Sequence, residues 1–306
     1  MRALVEVLAA DSLQGRRVGS EGARKAARII AAQFEFAGLE AAGDSGFFQH
    51  LPLRIATRPG GRTRISALDS WAAFDSLAEA ERGIETNVVG IVRASDPDFA
   101  GEYVLITAHF DHLGIGRPID GDSIFNGADD DVSGVAALVE IARDLSADPA
   151  KRSVVFAAMA GEEVGLIGTR WYLAHSPVSL NATVAALNLE MIGRPDTALA
   201  SGHLWLTGFE RSTMGEELVA ARLPVHPDPR PRQHFYERSD NIAFARIGIP
   251  AHTLSSFGLH HDYHSPDDEV ERIDFDHMEA AIEASIGAVR TIADGPRPAW
   301  TPGGRP

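Results

Sequence analysis

EYVLITAHF, residues 102–110, followed by SGVAALVEIARDL, residues 133–145, decides the fold class. The first segment is almost continuously apolar, which suits a central strand covered on both faces; a half-solvated strand would alternate with polar residues. In the second, Ser133 is placed to cap a helix, and Val135, Leu138, Val139, Ala142 and Leu145 follow the i, i+3, i+4 rule of an amphipathic helix. A strand feeding such a crossover helix is the unit from which parallel sheets are built.

The pattern repeats outward from there. SVVFAAMA (153–160), VAALNLEM (184–191) and HLWLTG (203–208) read as strands, and GLIGTRWYLAH (165–175) and RSTMGEELVAARL (211–223) as helices. NVVGIV (87–92) reads as a further strand. Residues 20–38 form a packing helix stopped by Gly38, and the last long helix spans Phe275 to Ala293. Between Leu51 and Gly83 the pattern is irregular, with a turn at PGGR (59–62) and a short helix in WAAFDSLAEAERG. The expectation is an α/β chain with a doubly wound, largely parallel sheet flanked by helices. Residues 1–294 should form one domain, and the Pro- and Gly-rich segment 295–306 a mobile tail. In such sheets ligands gather beyond the C-terminal ends of the strands.

The chemistry-bearing residues fall at those ends. His109 closes one strand, and Asp111, two residues on, is spaced to share its face and orient the imidazole. Asp129, Asp130 and Asp131 stand together ahead of the crossover helix, where their mutual repulsion is relieved by a dication, and one carboxylate can bridge two metals. Glu162 and Glu163 follow a strand as neighbours. Because adjacent side chains diverge, one suits a metal ligand and the other a base acting on water. Glu190 follows another strand, and His260, His261 and His264 crowd the stretch HHDYHSPDD (260–268). Each signal has a bland alternative in a solvated loop; their joint placement points to a metal site assembled from separate segments. Phe235, Tyr236 and Phe257 are candidate apolar walls for a pocket.

Composition narrows the field. The 306 residues are 44% hydrophobic and carry a formal net charge of −15, which argues against polyanions such as nucleic acid and against an anionic membrane surface. There is no cysteine, so any metal must sit on His and carboxylates. No run approaches the roughly 18 apolar residues of a membrane span, and a soluble protein is expected. Its compartment stays open: periplasmic or secreted if an export signal has been trimmed, cytoplasmic otherwise. No HExxH, Walker, GxGxxG or GxSxG motif occurs.

These segments resemble the dizinc aminopeptidase family, which includes secreted bacterial leucine aminopeptidases, glutamate carboxypeptidases and, more distantly, glutaminyl cyclases. The resemblance runs from LQGRRVGSEG through VLITAHFDHLG, NGADDDVSG, AGEEVGLIGTRWYL, LNLEMIGR and YERSDNIAFARIGIPA to DYHSPDD. It implies two Zn2+ ions as cofactors; larger relatives carry a protease-associated insert, for which too few residues separate Leu51 from Val88, so a compact catalytic domain is expected. By resemblance His109 and Glu190 would hold one zinc, Glu163 and His264 the other, and Asp129 would bridge them. Many members carry aspartate where this chain has Glu190. Glu162 would be the general base, Asp111 the support of the His ligand, and Tyr263 a stabiliser of the oxyanion. A cis peptide is expected after Asp129. The implied activity is hydrolysis of peptides with a free N-terminus. Carboxypeptidase action, glutaminyl cyclase-like acyl transfer and a non-catalytic binding domain remain as alternatives, and the oligomeric state is open.

Overall fold

The computed structural model describes residues 1–57 and 63–306. The PGGR turn lies outside the described residues. The strands, in chain order, are β1 (Glu40–Ala41), β2 (Phe48–Thr57), β3 (Thr63–Ala67), β4 (Arg82–Val92), β5 (Tyr103–His109), β6 (Gly114–Ile119), β7 (Asp122–Phe125), β8 (Ser153–Met159), β9 (Thr183–Leu189), β10 (Leu204–Leu206), β11 (Val225–Pro227) and β12 (Ala251–Ser255). The main sheet runs β11-β10-β12-β9-β5-β8-β4-β2-β3, with β1 on β4, while β6 and β7 form a separate hairpin.

Its centre, β12-β9-β5-β8, is parallel. The β4, β2 and β3 flank is antiparallel. The apolar strands explain why the centre is covered on both sides. In β8, Val154, Phe156 and Ala158 enter one core and Val155, Ala157 and Met159 the other, the period-2 alternation of a strand buried on both faces. Helices α1 (Arg2–Leu8), α2 (Glu21–Ala37), α4 (Gly134–Ala147), α6 (Met214–Ala220) and α8 (Phe275–Asp294) cover the first face. On the second, α5 (Ile167–Ala174) and α7 (Asn241–Arg246) bring Tyr172, Ile242 and Phe244 against it.

The expected fold class is observed, with local corrections. The irregular stretch after Leu51 is largely the β2–β3 ribbon, closed by the short helix α3 (Trp71–Asp75), and holds no inserted domain among the described residues. Ser133 does not cap α4: its hydroxyl donates to the Asp129 carbonyl, and the Gly134 amide is taken by Asp131 instead. The C-terminal segment is docked, not loose. Trp300 donates its indole N–H to Gly248 O at 2.9 Å, Thr301 bonds to the carbonyls of Glu210 and Arg211, and Arg211 reaches back to Gly304 O. One indole, one hydroxyl and one guanidinium, each bonded to backbone carbonyls, seat a segment whose Pro and Gly content alone suggests disorder. No helix among the described residues is long and apolar enough to cross a membrane.

Candidate metal centre

Four parallel strands end on the same side, and each delivers a polar group there. The end of β5 carries His109, with Asp111 and His112 just beyond; Glu162 and Glu163 follow β8, Glu190 follows β9, and the loop after β12 carries Tyr263 and His264. The turn before α4 completes the set.

The three consecutive aspartates in that turn have different tasks. Asp130 is central: its Oδ1 lies 3.2 Å from His109 Nε2, and its Oδ2 lies 3.2 Å from His264 Nε2. Asp129 is turned away, accepting from the Gly193 amide at 2.8 Å and facing His260 Nε2 at 3.0 Å. The place between His109 and His264, expected for Asp129, is taken by Asp130, and the cis peptide is Asp130–Asp131, one residue later than expected. Asp131 joins three elements, accepting from the amides of His109, Gly134 and Met191. Asp268 supports the turn from outside through the amides of Asp129 and Asp130.

His109 and Asp111 depart from the expected pairing. His109 Nδ1 lies 3.1 Å from the Asp111 backbone carbonyl, which fixes that nitrogen as the donor and leaves Nε2 a free lone pair for a ligand. The Asp111 carboxylate instead accepts from the amides of Gly161 at 2.7 Å and Glu162 at 3.1 Å. It thus shapes the turn that presents Glu162 and Glu163, while its Oδ1 stays 3.8 Å from His109 Nδ1.

The structure adds a residue that sequence reasoning passed over. His112 is fully buried, and its Nδ1 sits 2.8 Å from Glu163 Oε1 and 3.9 Å from Asp130 Oδ2. Yet neither ring nitrogen of His112 nor Glu163 Oε1 makes a hydrogen bond. Buried polar atoms that crowd together without bonding each other are costly unless a further group satisfies them. Donor atoms of His112, Asp130 and Glu163 all lie within 4.8 Å of one another, and His264 Nε2 is 3.3 Å from Glu163 Oε1. Two imidazoles and two carboxylates converging in this way fit a divalent cation of the zinc type.

Glu190 accepts from Asn188 Nδ2 at 3.0 Å, and that amide also reaches Ser239 Oγ. Burial raises the Glu190 carboxyl to about 7 against the attraction of His109, and burial likewise holds Glu162 well above the ordinary carboxylate range, with Glu190 and Asp240 adding repulsion to His109's opposing pull. For Asp130, burial is outweighed by His109 and His264, and the carboxyl stays well below its usual value. Burial opposes the charged form of His109, but Asp130, Asp131 and Glu162 overcome it and raise its pKa.

Above this cluster lies a cleft walled by Trp205, Phe235, Phe257 and Tyr263, which Glu162 and Glu190 also line. Phe235 and Phe257 are thus walls as expected. Tyr236 packs instead under the Arg211 guanidinium, outside the cleft. The Tyr263 ring stacks on His264 with centroids 3.9 Å apart, and its hydroxyl is held protonated by burial and by the nearby charges of Asp130 and Glu190.

Comparison with known proteins decides the lineage: the model of "Peptidase family M28" matches residues 87–289, more than half of the chain. The chain belongs to peptidase family M28. Among curated relatives, this M28 chain is 40% identical over 110 residues to a probable zinc metalloprotease of Pyrenophora teres f. teres, covering 35% of this chain and 23% of that protein. It is 24% identical over 212 residues to aminopeptidase YwaD of Bacillus subtilis, covering 66% of this chain and 44% of that one. The chain therefore matches less than half the length of either relative. In fold it is similar to BSAP, a zinc aminopeptidase from Bacillus subtilis, with TM-score 0.68, 16% identity and 96% and 94% of the two chains covered. The aminopeptidase from Aneurinibacillus sp. strain AM-1 gives TM-score 0.68 at 18% identity, over 98% and 95%. At such identities these two comparisons establish the shared architecture.

Proposed function

We propose that this M28 chain is a zinc-dependent exopeptidase, an aminopeptidase that hydrolyses peptides with a free N-terminus using two Zn2+ ions. The observation that carries the reading is Asp130, whose two carboxylate oxygens face His109 on one side and His264 on the other. His109 and Glu190 would hold one ion, Glu163 and His264 with His112 the other, and Asp130 would be shared. Names of relatives in the family point to zinc and to aminopeptidase action.

Zinc in such a site supplies Lewis-acid polarisation of a carbonyl and lowers the pKa of water to about 7. The chain supplies the rest. Glu162, with its carboxyl pushed upward by burial, takes a proton from the attacking water and gives it to the departing amine nitrogen. Tyr263, protonated and on the cleft wall, donates to the carbonyl oxygen as negative charge builds there. Asp111 acts through position, fixing the Glu162 amide and, by its carbonyl, the His109 tautomer.

Glu162→Gln tests the proposal. Turnover of an aminoacyl p-nitroanilide should fall by about 10²–10⁴-fold, the usual contribution of a general base, while zinc content measured by mass spectrometry stays at the wild-type level. Activity within a few-fold of wild type would refute the role.

A further inference from the structure

One residue of the cleft is unused by this chemistry. Arg238 is the only Lys or Arg among the described residues that line it. Its guanidinium lies over the Phe235 ring, 5.0 Å from the centroid, and one N–H reaches the Tyr263 hydroxyl at 3.4 Å. No carboxylate among the described residues pairs with it, whereas Arg194 and Arg230 are paired with Asp262 and Asp196. Stacking on Phe235 restrains the guanidinium plane and leaves most of its five N–H donors without a partner.

Charge and distance say what these donors suit. The acids Asp130, Glu162, Glu163 and Glu190 would be offset by two dications, so the uncompensated charge left in the cleft is the positive charge of Arg238. That charge disfavours a substrate ammonium beside it and favours an anion. In the proposed mechanism Tyr263 Oη donates to the scissile carbonyl oxygen, and a guanidinium nitrogen of Arg238 is 3.4 Å from that hydroxyl, so the guanidinium lies beside the scissile bond. The next carbonyl carbon along a peptide is about one residue away, at the scale of the 3.8 Å Cα spacing. In a dipeptide that next carbon is the terminal carboxylate.

We infer that Arg238 binds a peptide carboxylate one residue beyond the scissile bond, so that the cleft selects dipeptides with a free C-terminus. The inference rests on the peptidase reading and deepens it. A planar fork of N–H donors matches a carboxylate in two-point fashion, which an amide or a longer chain continuing through the same place does not reproduce. An acidic side chain at that residue offers the same chemistry, and the substrates below separate the two sources.

The zinc-loaded full chain and its Arg238→Gln variant are assayed on leucyl-glycine, leucyl-glycinamide and the α-amide of leucyl-aspartate. Wild type should prefer leucyl-glycine over its amide. Arg238→Gln should cut kcat/KM for leucyl-glycine by about 10–100-fold, mainly through KM, and leave leucyl-glycinamide within about twofold. A loss confined to leucyl-aspartate amide would overturn selection for a free C-terminus and assign the guanidinium to an acidic side chain instead. Equal losses on all three substrates, or none, would overturn the inference. If zinc-loaded wild type hydrolyses none of them, it is the peptidase reading that fails. Arg238 is exposed, so the variant should fold, and unchanged zinc content verifies that the centre is intact.

Discussion

Replacing Arg16 by methionine should destabilise the protein by at least about 3 kcal/mol, although Arg16 contacts no proposed ligand side chain. Its guanidinium is completely buried and donates to four backbone carbonyls: Leu8 at 2.8 Å, Phe110 at 2.8 Å, Asn126 at 2.6 Å and Gly127 at 3.1 Å. Phe110 lies between His109 and Asp111, and Gly127 lies in the turn that carries Asp130, so one side chain from the N-terminal segment ties both loops. Hydrogen bonds to a charged group contribute about 1.5–3 kcal/mol each, or about 6–12 kcal/mol for the set before opposing terms. Against this stands desolvation, which lowers the Arg16 pKa from 12.5 to about 10 even with Asp111 and Asp268 nearby. A shift of that size is worth about 3 kcal/mol, which leaves a net loss of about 3 kcal/mol or more. Methionine fills similar volume but leaves the Leu8, Phe110 and Asn126 carbonyls without this donor. The assay is urea unfolding of the chelator-treated protein, read as a change in midpoint at constant slope. A loss below about 1 kcal/mol would show that the loops hold without this tie and would refute the reasoning.

Two further outcomes follow from the same geometry. Tyr263→Phe should lower kcat by about 10–100-fold with KM nearly unchanged, because the hydroxyl acts on charge that develops only during reaction; an effect on KM alone would reject the oxyanion role. Glu85, buried in β4 and accepting from the amides of Gly19 and Thr86, has its carboxyl raised to about 7 chiefly by burial. A raised acid pKa means that the native state binds the proton more tightly, so wild-type stability should fall relative to Glu85→Gln as pH rises from about 4.5 to 7, by about 3 kcal/mol in all, and then level off. Parallel stability curves for the two proteins in urea titrations from pH 5 to 8 would contradict this.

Much of the architecture was legible because its signals are local and periodic. Strands such as β5 and β8 are apolar at nearly every position, and α4 and α8 carry a regular apolar stripe. The antiparallel flank was not legible, since β2 and β3 mix polar and apolar residues on a partly exposed ribbon. The docking of the tail was not legible, because Pro and Gly are visible in the sequence while the seat of Trp300 on Gly248 is a long-range contact. In the metal centre, the residue types and their placement at strand ends were readable, but not the roles of three identical neighbours. Asp129, Asp130 and Asp131 differ only through backbone angles: φ and ψ are non-helical at Asp130 and Asp131, which turns each carboxylate toward a different partner. His112 lay in the quoted HFDH segment with no sequence signal beyond its type. Its burial against Glu163 depends on three chain segments meeting. Arg238 was equally silent, because a missing partner is visible only once the neighbours are in place.

The central claim, that Asp130 and not Asp129 is the shared ligand of two zinc ions, is tested most directly by counting zinc per chain in the wild type and in Asp129→Ala and Asp130→Ala. The account predicts two ions in the wild type, at most one in Asp130→Ala, and two still present in Asp129→Ala. Two ions retained by Asp130→Ala, or a wild type that binds none, would contradict it.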